Sequence, residues 1–504
     1  MEQYVCIHGH FYQPPRENPW LETVEQQQSA YPYHDWNERI TAECYAPNAA
    51  SAIPDHDNPA VRMINNYSRI SFNFGPTLLS WMQKHKPDVY QAILDADRIS
   101  KDRFSGHGSA IAQVHNHMIM PLANQRDKRT QAIWGIKDFE KRFRRFPEGM
   151  WLPETAVDLE TLEVLAELGI KFTILSPHQV RKVKEIGYGE WQDVSGGRID
   201  PTMAYLCCLP SGRSINIFVY DGLISQAVAF GDLLNNGELF AKKLLGALGN
   251  HRNRPQIVHI ATDGETYGHY RRQGNITLAN CLAFIDSNNS AMLTNYGQYL
   301  KKHPPTHMIE VVENSSWSCA HGIERWRADC GCHLGTHPGW TQAWRNPLRE
   351  AMDWLRDRIA AIYEKEATPY LRDPWGARDD YIELMLDRST GRVEGFFAGH
   401  LRDTLASEGK ERVIKLLEMQ KNALLVYTSC GWFFDDIAGI EAAQVMRYAA
   451  KTMQLAEEVQ GIRLEPDYIR ILEKAPSVVH GNGSKTYELL VGPVRREPSR
   501  VIAG

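Results

Sequence analysis

Ile257-Val258-His259-Ile260-Ala261-Thr262-Asp263-Gly264-Glu265 is an apolar run that ends on two carboxylates separated by a glycine. A short apolar run bounded by a turn signal reads as a buried β-strand. A second run of the same design, Gly149-Met150-Trp151-Leu152-Pro153-Glu154, also ends on an acid. Five further runs, at residues 4–8, 70–74, 110–114, 170–175 and 215–220, complete a set of strand candidates, with helical patterns between them. Alternation of this kind is the signature of a parallel α/β sheet, whose strands aim their carboxyl ends at the functional face.

Between the fourth and fifth runs, Asp158 reads as a helix cap, Leu162, Leu165 and Leu168 recur three apart, and Gly169 ends the helix before Ile170. Pro76, just after Gly75, suits the first turn of another helix. Seven such strands suggest a closed or nearly closed (β/α) barrel, with an open doubly wound sheet as the alternative. Gly196-Gly197 and Pro210-Ser211-Gly212 break the rhythm and suggest a hairpin-like insertion over about 185–213. Beyond about residue 345, amphipathic helices take over at 347–366, 381–386, 411–427 and 440–458. The expected organisation is a catalytic barrel at 1–290 and a connecting segment with a Trp/Cys/His-rich loop at 291–345. A helical domain at 346–475 and an irregular tail at 476–504 follow.

The 504 residues are 43% hydrophobic and 23% charged, ordinary values for a globular chain. A net charge of −5 without a basic stripe argues against nucleic acid or an anionic membrane surface as a partner. No basic segment followed by an apolar one opens the chain, and no stretch reaches membrane-spanning length. Nine cysteines, an odd and scattered set, fit a reduced cytoplasmic setting better than a disulfide framework. Thirteen tryptophans and 21 tyrosines serve the core first, with stacking on sugar faces as a second use.

Two acids at strand ends can share one substrate, and cleavage of a glycosidic bond is the chemistry that most often needs such a pair. Pro153 ends sheet pairing, so Glu154 stands on the first loop residue, placed as a nucleophile toward an anomeric carbon. Asp263 suits a general acid and then base if burial raises its pKa, and Glu265 competes for that role or bonds a sugar hydroxyl. His8-Gly9-His10 and His115-Asn116-His117 follow the first and third strands. They fit hydrogen bonds to sugar hydroxyls. They also fit the metal site of a hydrolase or deacetylase with Asp263 as a further ligand. A non-catalytic glycan-binding protein is the remaining rival. Cys319-Ala320-His321 and Cys330-Gly331-Cys332-His333 lack the paired spacing of a zinc ribbon, so reduced cysteines in a tight loop are expected there, and no metal site. Trp317, Arg325, Trp326 and Asp329 in the same stretch could line a substrate groove.

Together these residues resemble glycoside hydrolase family 57. Trp151-Leu152-Pro153-Glu154 is similar to the family's third motif, with its nucleophile glutamate, and Thr262-Asp263-Gly264-Glu265 to the fourth, with its acid/base aspartate. His117-Met118-Ile119-Met120-Pro121 resembles the second motif. His8-Gly9-His10 followed by Gln13-Pro14 resembles the first, with Phe11-Tyr12 intervening where the family commonly has none. That departure favours His10 over Gln13 as a substrate contact. The segments 314–322 and 427–436 resemble a domain of unassigned function that follows the catalytic module in some bacterial members. Trp432 is the candidate for the aromatic residue that the helical region lends the sugar site. A chain ending soon after Ser499-Arg500-Val501 suggests a shorter form than relatives carrying that domain.

The resemblance implies a seven-stranded (β/α) barrel, no cofactor or metal requirement, and retaining double displacement on α-linked glucans. Its expected sites are Glu154 and Asp263 for catalysis, with His8, His10, His117, Trp151, Glu265, Trp317, Trp326 and Trp432 for substrate binding. Amylase, branching, glucanotransferase and α-galactosidase activities all occur on that scaffold, so the acceptor, water or sugar, stays open.

Overall fold

The computed structural model describes residues 2–54, 61–249, 253–335 and 337–495. It divides into two compact units. Unit 1 takes Met1–Gln13, Gln26–Val114 and Phe139–Trp317, and unit 2 takes Pro14–Glu25, His115–Asp138 and Ser318–Gly504.

All seven expected strands form in unit 1: β1 (Gln3–Phe11), β2 (Ser71–Phe74), β3 (Ala112–Gln113), β4 (Met150–Trp151), β5 (Phe172–Leu175), β6 (Ser214–Val219) and β7 (Gln256–Asp263). β1 pairs in parallel with β7 and β2, so that His10 lies opposite Asp263 on one side and Asn73 on the other. A parallel bridge from Phe72 to Ala110 leads to β3, which pairs with β4. A bridge from Gly149 to Phe172 leads to β5, which pairs with β6. The Asp221 N–H then donates to the His259 carbonyl at 2.8 Å, linking the segment after β6 to β7.

Side chains alternate along a strand, which sorts the residues of β1 and β7. Tyr4 and Cys6 of β1 and Ile257 and Ala261 of β7 join one apolar cluster with Trp151, Phe172, Ile174 and Phe218. Continuing the same parity toward the carboxyl ends brings His8, His10 and Asp263 onto that face. The face is therefore apolar at one end and polar at the other. After β4, α1 (Leu159–Glu167) starts on the Asp158 carboxylate, which accepts the Thr161 N–H at 2.8 Å. Such a cap contributes about 1 kcal/mol. Gly169 follows α1 at φ 86°, a backbone that only glycine adopts without strain.

The insertion between β5 and β6 is a set of antiparallel strands, Val180–Glu185, Gln192–Asp193 and Ala204–Cys208. A later strand, His307–Val311, pairs with both Ala204–Cys208 and Val180–Glu185. The expected boundary at residue 290 is corrected by this pairing, since unit 1 runs on to Trp317. The strand at 307–311 has no βα rhythm of its own; its order comes from partners about 100 residues earlier, which local pattern does not reveal.

Unit 2 is built on α2 (Arg345–Ala367), α3 (Ser407–Leu425) and α4 (Ile440–Gln460), which pack against one another. Val413, Leu416, Leu417 and Met419 of α3 are buried along one stripe. The segment 115–138 joins this unit through a buried ion pair, Arg378 to Asp127 at 2.7 Å, and a second Arg378 bond to Thr130 Oγ1. The expected tail is ordered in part: Pro476–Ser477 and Gly481–Asn482 pair as a hairpin, and Gly483–Leu490 is a helix whose start Asn482 caps. Residues 496–504 lie outside the described residues. Among the described residues no helix is long and apolar enough to cross a membrane.

Gly264, just beyond β7, packs against the buried Phe11 ring so closely that a Cβ would stand 2.2 Å from Phe11 Cδ1. Phe11 stacks on Phe74 and meets Tyr45 and Tyr67 edge-on, so it has little room to yield. Gly264→Ala is expected to cost about 1–3 kcal/mol by overpacking. Displacing the adjacent acids should also lower turnover by roughly 100-fold. Urea denaturation and steady-state kinetics on the folded variant check this; unchanged values for both would contradict the packing argument.

Candidate active site

Glu154 sits directly after β4 on a backbone that turns sharply. Glu154 and Thr155 both adopt left-handed conformations, at φ 57° and 51°. For a β-branched residue such as Thr155 this is strained, at a cost of roughly 1–3 kcal/mol, so neighbouring contacts must hold it. Gln179 supplies them. Its Oε1 accepts from Thr155 Oγ1 and from the Ser176 N–H, both at 2.8 Å, while its Nε2 donates to the Thr155 and Ser315 carbonyls. Val157 pairs with Ser315, so residues 314–317 run beside this turn. The Trp317 N–H donates to the Glu154 carbonyl at 2.9 Å, and Trp317 Nε1 donates to the Glu154 carboxylate at 3.0 Å. A donor aimed at a carboxylate oxygen favours its ionised form.

Asp263 ends β7. It keeps access to solvent although protein atoms crowd it on most sides. Loss of hydration, then the charges of Glu265 and Glu154, push its pKa well above the ordinary aspartate value. Glu154 thus lies near enough to act electrostatically on Asp263. Glu265 is buried and accepts from the Tyr12 N–H at 2.9 Å and from Tyr45 OH. Burial raises its pKa to about 7 against these bonds, which act to lower it.

The loop carrying Asp263 and Glu265 is gripped by a π-helical turn, Thr41–Tyr45. Glu43 pairs with His269, Cys44 Sγ donates to the Gly264 carbonyl at 3.4 Å, and Tyr45 bonds Glu265. Irregular turns of this kind recur at functional sites.

The histidines of β1 form a defined network. Asn73 Oδ1 accepts from His8 Nε2 at 3.1 Å, and Ser71 Oγ bonds His8 Nδ1 at 3.0 Å. Asn73 Nδ2 donates to His10 Nδ1 at 2.9 Å and to Gln113 Oε1 at 2.8 Å. With Nδ1 accepting, neutral His10 carries its proton on Nε2. Both rings stack on Trp151, at centroid distances of 5.0 and 4.9 Å. Burial lowers both imidazole pKa values to about 3, so the rings are neutral at ordinary pH.

Unit 1 therefore brings together Glu154, Asp263, Glu265, His8, His10, Trp151 and Trp317 from the expected set. His117, Trp326 and Trp432 belong to unit 2. There His117 Nδ1 bonds Ser429 Oγ at 2.6 Å, and His115 Nδ1 bonds Asn116 Oδ1. Trp326 and Trp432 are fully buried. Trp432 Nε1 donates to the Arg345 carbonyl, and the Arg349 guanidinium lies 4.7 Å from its ring centroid. One Trp432 face is thus taken by a cation, which corrects its expected role as a sugar platform to a packing role in unit 2. Both His8 nitrogens, His10 Nδ1, His115 Nδ1 and His117 Nδ1 are engaged by protein groups, and among the described residues these four histidines form no cluster of converging metal donors. Tyr45, Asn73, Gln113 and Gln179 were missed by sequence reasoning. Asn73 and Gln113 were findable as polar residues inside strand runs. Tyr45 and Gln179 carried no local signal.

The sequence model of Glycosyl hydrolase family 57 matches residues 6–312, more than half of the chain, which therefore belongs to that family. Residues 340–504 match a domain of unknown function, DUF3536. No curated protein matches the chain. Among solved structures, an exo-type maltose-forming amylase from Pyrococcus sp. ST04 superposes with a TM-score of 0.68 at 16% identity, covering 98% of this chain and 88% of that one. A branching enzyme from Thermococcus kodakaraensis gives 0.57 at 15% identity, with 98% and 95% covered. A 4-α-glucanotransferase from Thermococcus litoralis gives 0.52 at 16%, with 91% and 60% covered. At these identities the likeness is one of fold.

The buried rings set the acid stability of the protein. His8, His10 and His259 have folded pKa values near 3 against 6.5 unfolded, so the unfolded chain takes up protons first and stability is lost as pH falls below about 6.5. Glu265 and Asp263 act oppositely, because the native state keeps protons that the unfolded chain releases above 4.5 and 3.8. The decline is thus expected to be shallow down to about pH 4.5, then to steepen toward about 4 kcal/mol per pH unit as three histidines titrate together. Urea-unfolding free energies at a series of pH values test this. A stability that stays flat to pH 4 would contradict neutral burial of the rings.

Proposed function

We propose that this family 57 member is a retaining enzyme acting on α-linked glucans by double displacement, with Glu154 as nucleophile and Asp263 as acid/base. The observation that carries the reading is the unequal setting of the two acids. Trp317 donates to the Glu154 carboxylate, while loss of hydration and two neighbouring carboxylates favour the protonated form of Asp263. The amylase, branching enzyme and glucanotransferase that share the fold support the glucan as substrate class. The single bond from Asp221 to His259 supports a ring of seven strands closed as a (β/α) barrel. An odd, scattered set of nine cysteines supports a reducing, cytoplasmic setting.

In the first step Glu154 attacks the anomeric carbon as Asp263 gives its proton to the departing glycosidic oxygen, leaving a glycosyl ester on Glu154. In the second, the Asp263 carboxylate takes a proton from water or a sugar hydroxyl, whose oxygen attacks the same carbon and releases Glu154. His10 Nε2–H and the partly exposed Trp317 supply donor and aromatic surface for the sugar, and the buried Trp151 positions the His10 ring by stacking. Glu265 sets the charge felt by Asp263. Retention requires the two carboxyl groups to lie about 5–5.5 Å apart.

Glu154→Ala should lower kcat by roughly 10⁴–10⁶-fold. Azide should restore turnover as a glycosyl azide of anomeric configuration opposite to the substrate. Wild-type protein incubated with maltooligosaccharides and amylose should yield shortened, disproportionated or branched products, and these identify the acceptor. Full activity of the variant would remove the nucleophile assignment.

Glu265→Gln gives a second test. A negative neighbour favours the protonated form of Asp263, so removing it should lower the Asp263 pKa. The alkaline limb of kcat/KM, where the acid is lost, should then move to lower pH. A limb that stays in place would show that Glu265 does not set the acid.

A further inference from the structure

Among the described residues of 318–344 in unit 2 the only helical element is one short 3₁₀ turn, Glu324–Trp326, and loops of such length need something besides backbone ladders to fix them. Part of that is apolar: Ile323, Trp326 and Trp344 are buried. The rest converges on four side chains. Cys319, His321, Cys330 and Cys332 bring one donor atom each to within 4.8 Å of all the others, and they form the sole group of this kind among the described residues. The separations are 3.9 Å for Cys319 Sγ to Cys330 Sγ, 3.8 Å for Cys332 Sγ to Cys319 Sγ, and 3.6 Å for Cys332 Sγ to His321 Nδ1. A tetrahedral zinc ion, with Zn–S about 2.3 Å and Zn–N about 2.0 Å, places sulfurs about 3.8 Å apart and sulfur and nitrogen about 3.5 Å apart. The two sulfur–sulfur and one sulfur–nitrogen separations above match those spacings, and the remaining pairs stay within 4.8 Å.

Gly331, at φ 80°, turns the chain between Cys330 and Cys332 so that both sulfurs face the same point. Backbone N–H groups are aimed at the sulfurs, those of Arg325 and His321 at Cys319 and that of Ala320 at Cys332.

A second, independent observation is the buried Arg345. Its guanidinium bonds the carbonyls of Cys332, Phe433 and Phe434, and its Nε has no hydrogen-bond partner. A buried cation needs a compensating anion. Three thiolates around a divalent ion carry a net charge of −1, which meets that need.

We propose that Cys319, His321, Cys330 and Cys332 bind one structural zinc ion that clips the 318–344 loop of unit 2. Soft thiolates with one imidazole in a tetrahedron select zinc, and four protein ligands leave no position open for a catalytic water. His321 and the partly exposed Cys330 and Cys332 give the ion a route in from solvent. The proposal departs from the expectation of reduced cysteines without metal, since the order Cys-x-His then Cys-x-Cys is not the spacing of zinc ribbons and the convergence comes from the loop, not from a local motif.

Full-length protein purified without an affinity tag from zinc-supplemented culture should contain one zinc per chain by elemental analysis. Cys330→Ser and Cys332→Ser should each reduce this to below about a tenth, since each removes a thiolate. Cobalt loaded in place of zinc should show thiolate charge-transfer absorption and the intense visible bands of a tetrahedral ion. If the variants fail to fold, a mercurial titration of the wild-type thiols, with a chromophoric zinc indicator, reads the same release. Stripping zinc should speed tryptic cleavage after Arg327, which is exposed within the clipped loop. Zinc-free protein after loading, zinc retained in both serine variants, or a disulfide among these cysteines in anaerobically prepared protein would each overturn the assignment.

Discussion

The period-two alternation of β1 and β7 is the constraint on which the site depends. One parity of side chains runs from Tyr4 and Cys6 to His8 and His10, and from Ile257 and Ala261 to Asp263. A one-residue slip would turn His10 and Asp263 to the other face and leave apolar side chains where the polar ones now stand. Register is therefore set twice, by burial of the apolar end and by the Asn73 network at the polar end. Asn73 can serve His8, His10 and Gln113 together only if β1 and β2 are paired as observed.

Glu154 obeys a different rule, because it lies beyond its strand. Two consecutive left-handed residues store strain at the point where the carboxylate must project, and Gln179, Ser315 and Trp317 hold it there. The two acids are thus fixed by unlike means, one by strand parity and one by a braced turn. Their surroundings differ as well: Glu154 has an indole donor, whereas Asp263 has two negative neighbours.

What the sequence disclosed follows from the range of each interaction. The seven strands, the Asp158 cap, the helices of unit 2 and the two strand-end acids rest on local pattern, and all were legible. Long-range pairing was not: the strand at 307–311 takes its order from 180–185 and 204–208, and so moves the end of unit 1 past residue 290. Nor was membership of a unit. His117 stands three residues after Val114 in the chain, yet 115–138 is tied to the helical unit by Arg378, Asp127 and Thr130. Trp432 is expected at the sugar site because a family-like motif surrounds it. Its burial under Arg349 depends on helix packing that the motif does not encode.

The π-helical turn at Thr41–Tyr45 shows why the site keeps its charge balance. An ordinary α-turn would space Glu43, Cys44 and Tyr45 differently along the loop after β7, whereas here the three reach His269, the Gly264 carbonyl and Glu265 in succession. Tyr45 OH and the Tyr12 N–H both act to keep Glu265 ionised, against a burial that drives its pKa to about 7. Without those two donors Glu265 would be held neutral more firmly, and the repulsion that keeps Asp263 protonated would weaken. A residue far from the strand-end motifs, on an irregular turn, thereby tunes the acid that the motif supplies.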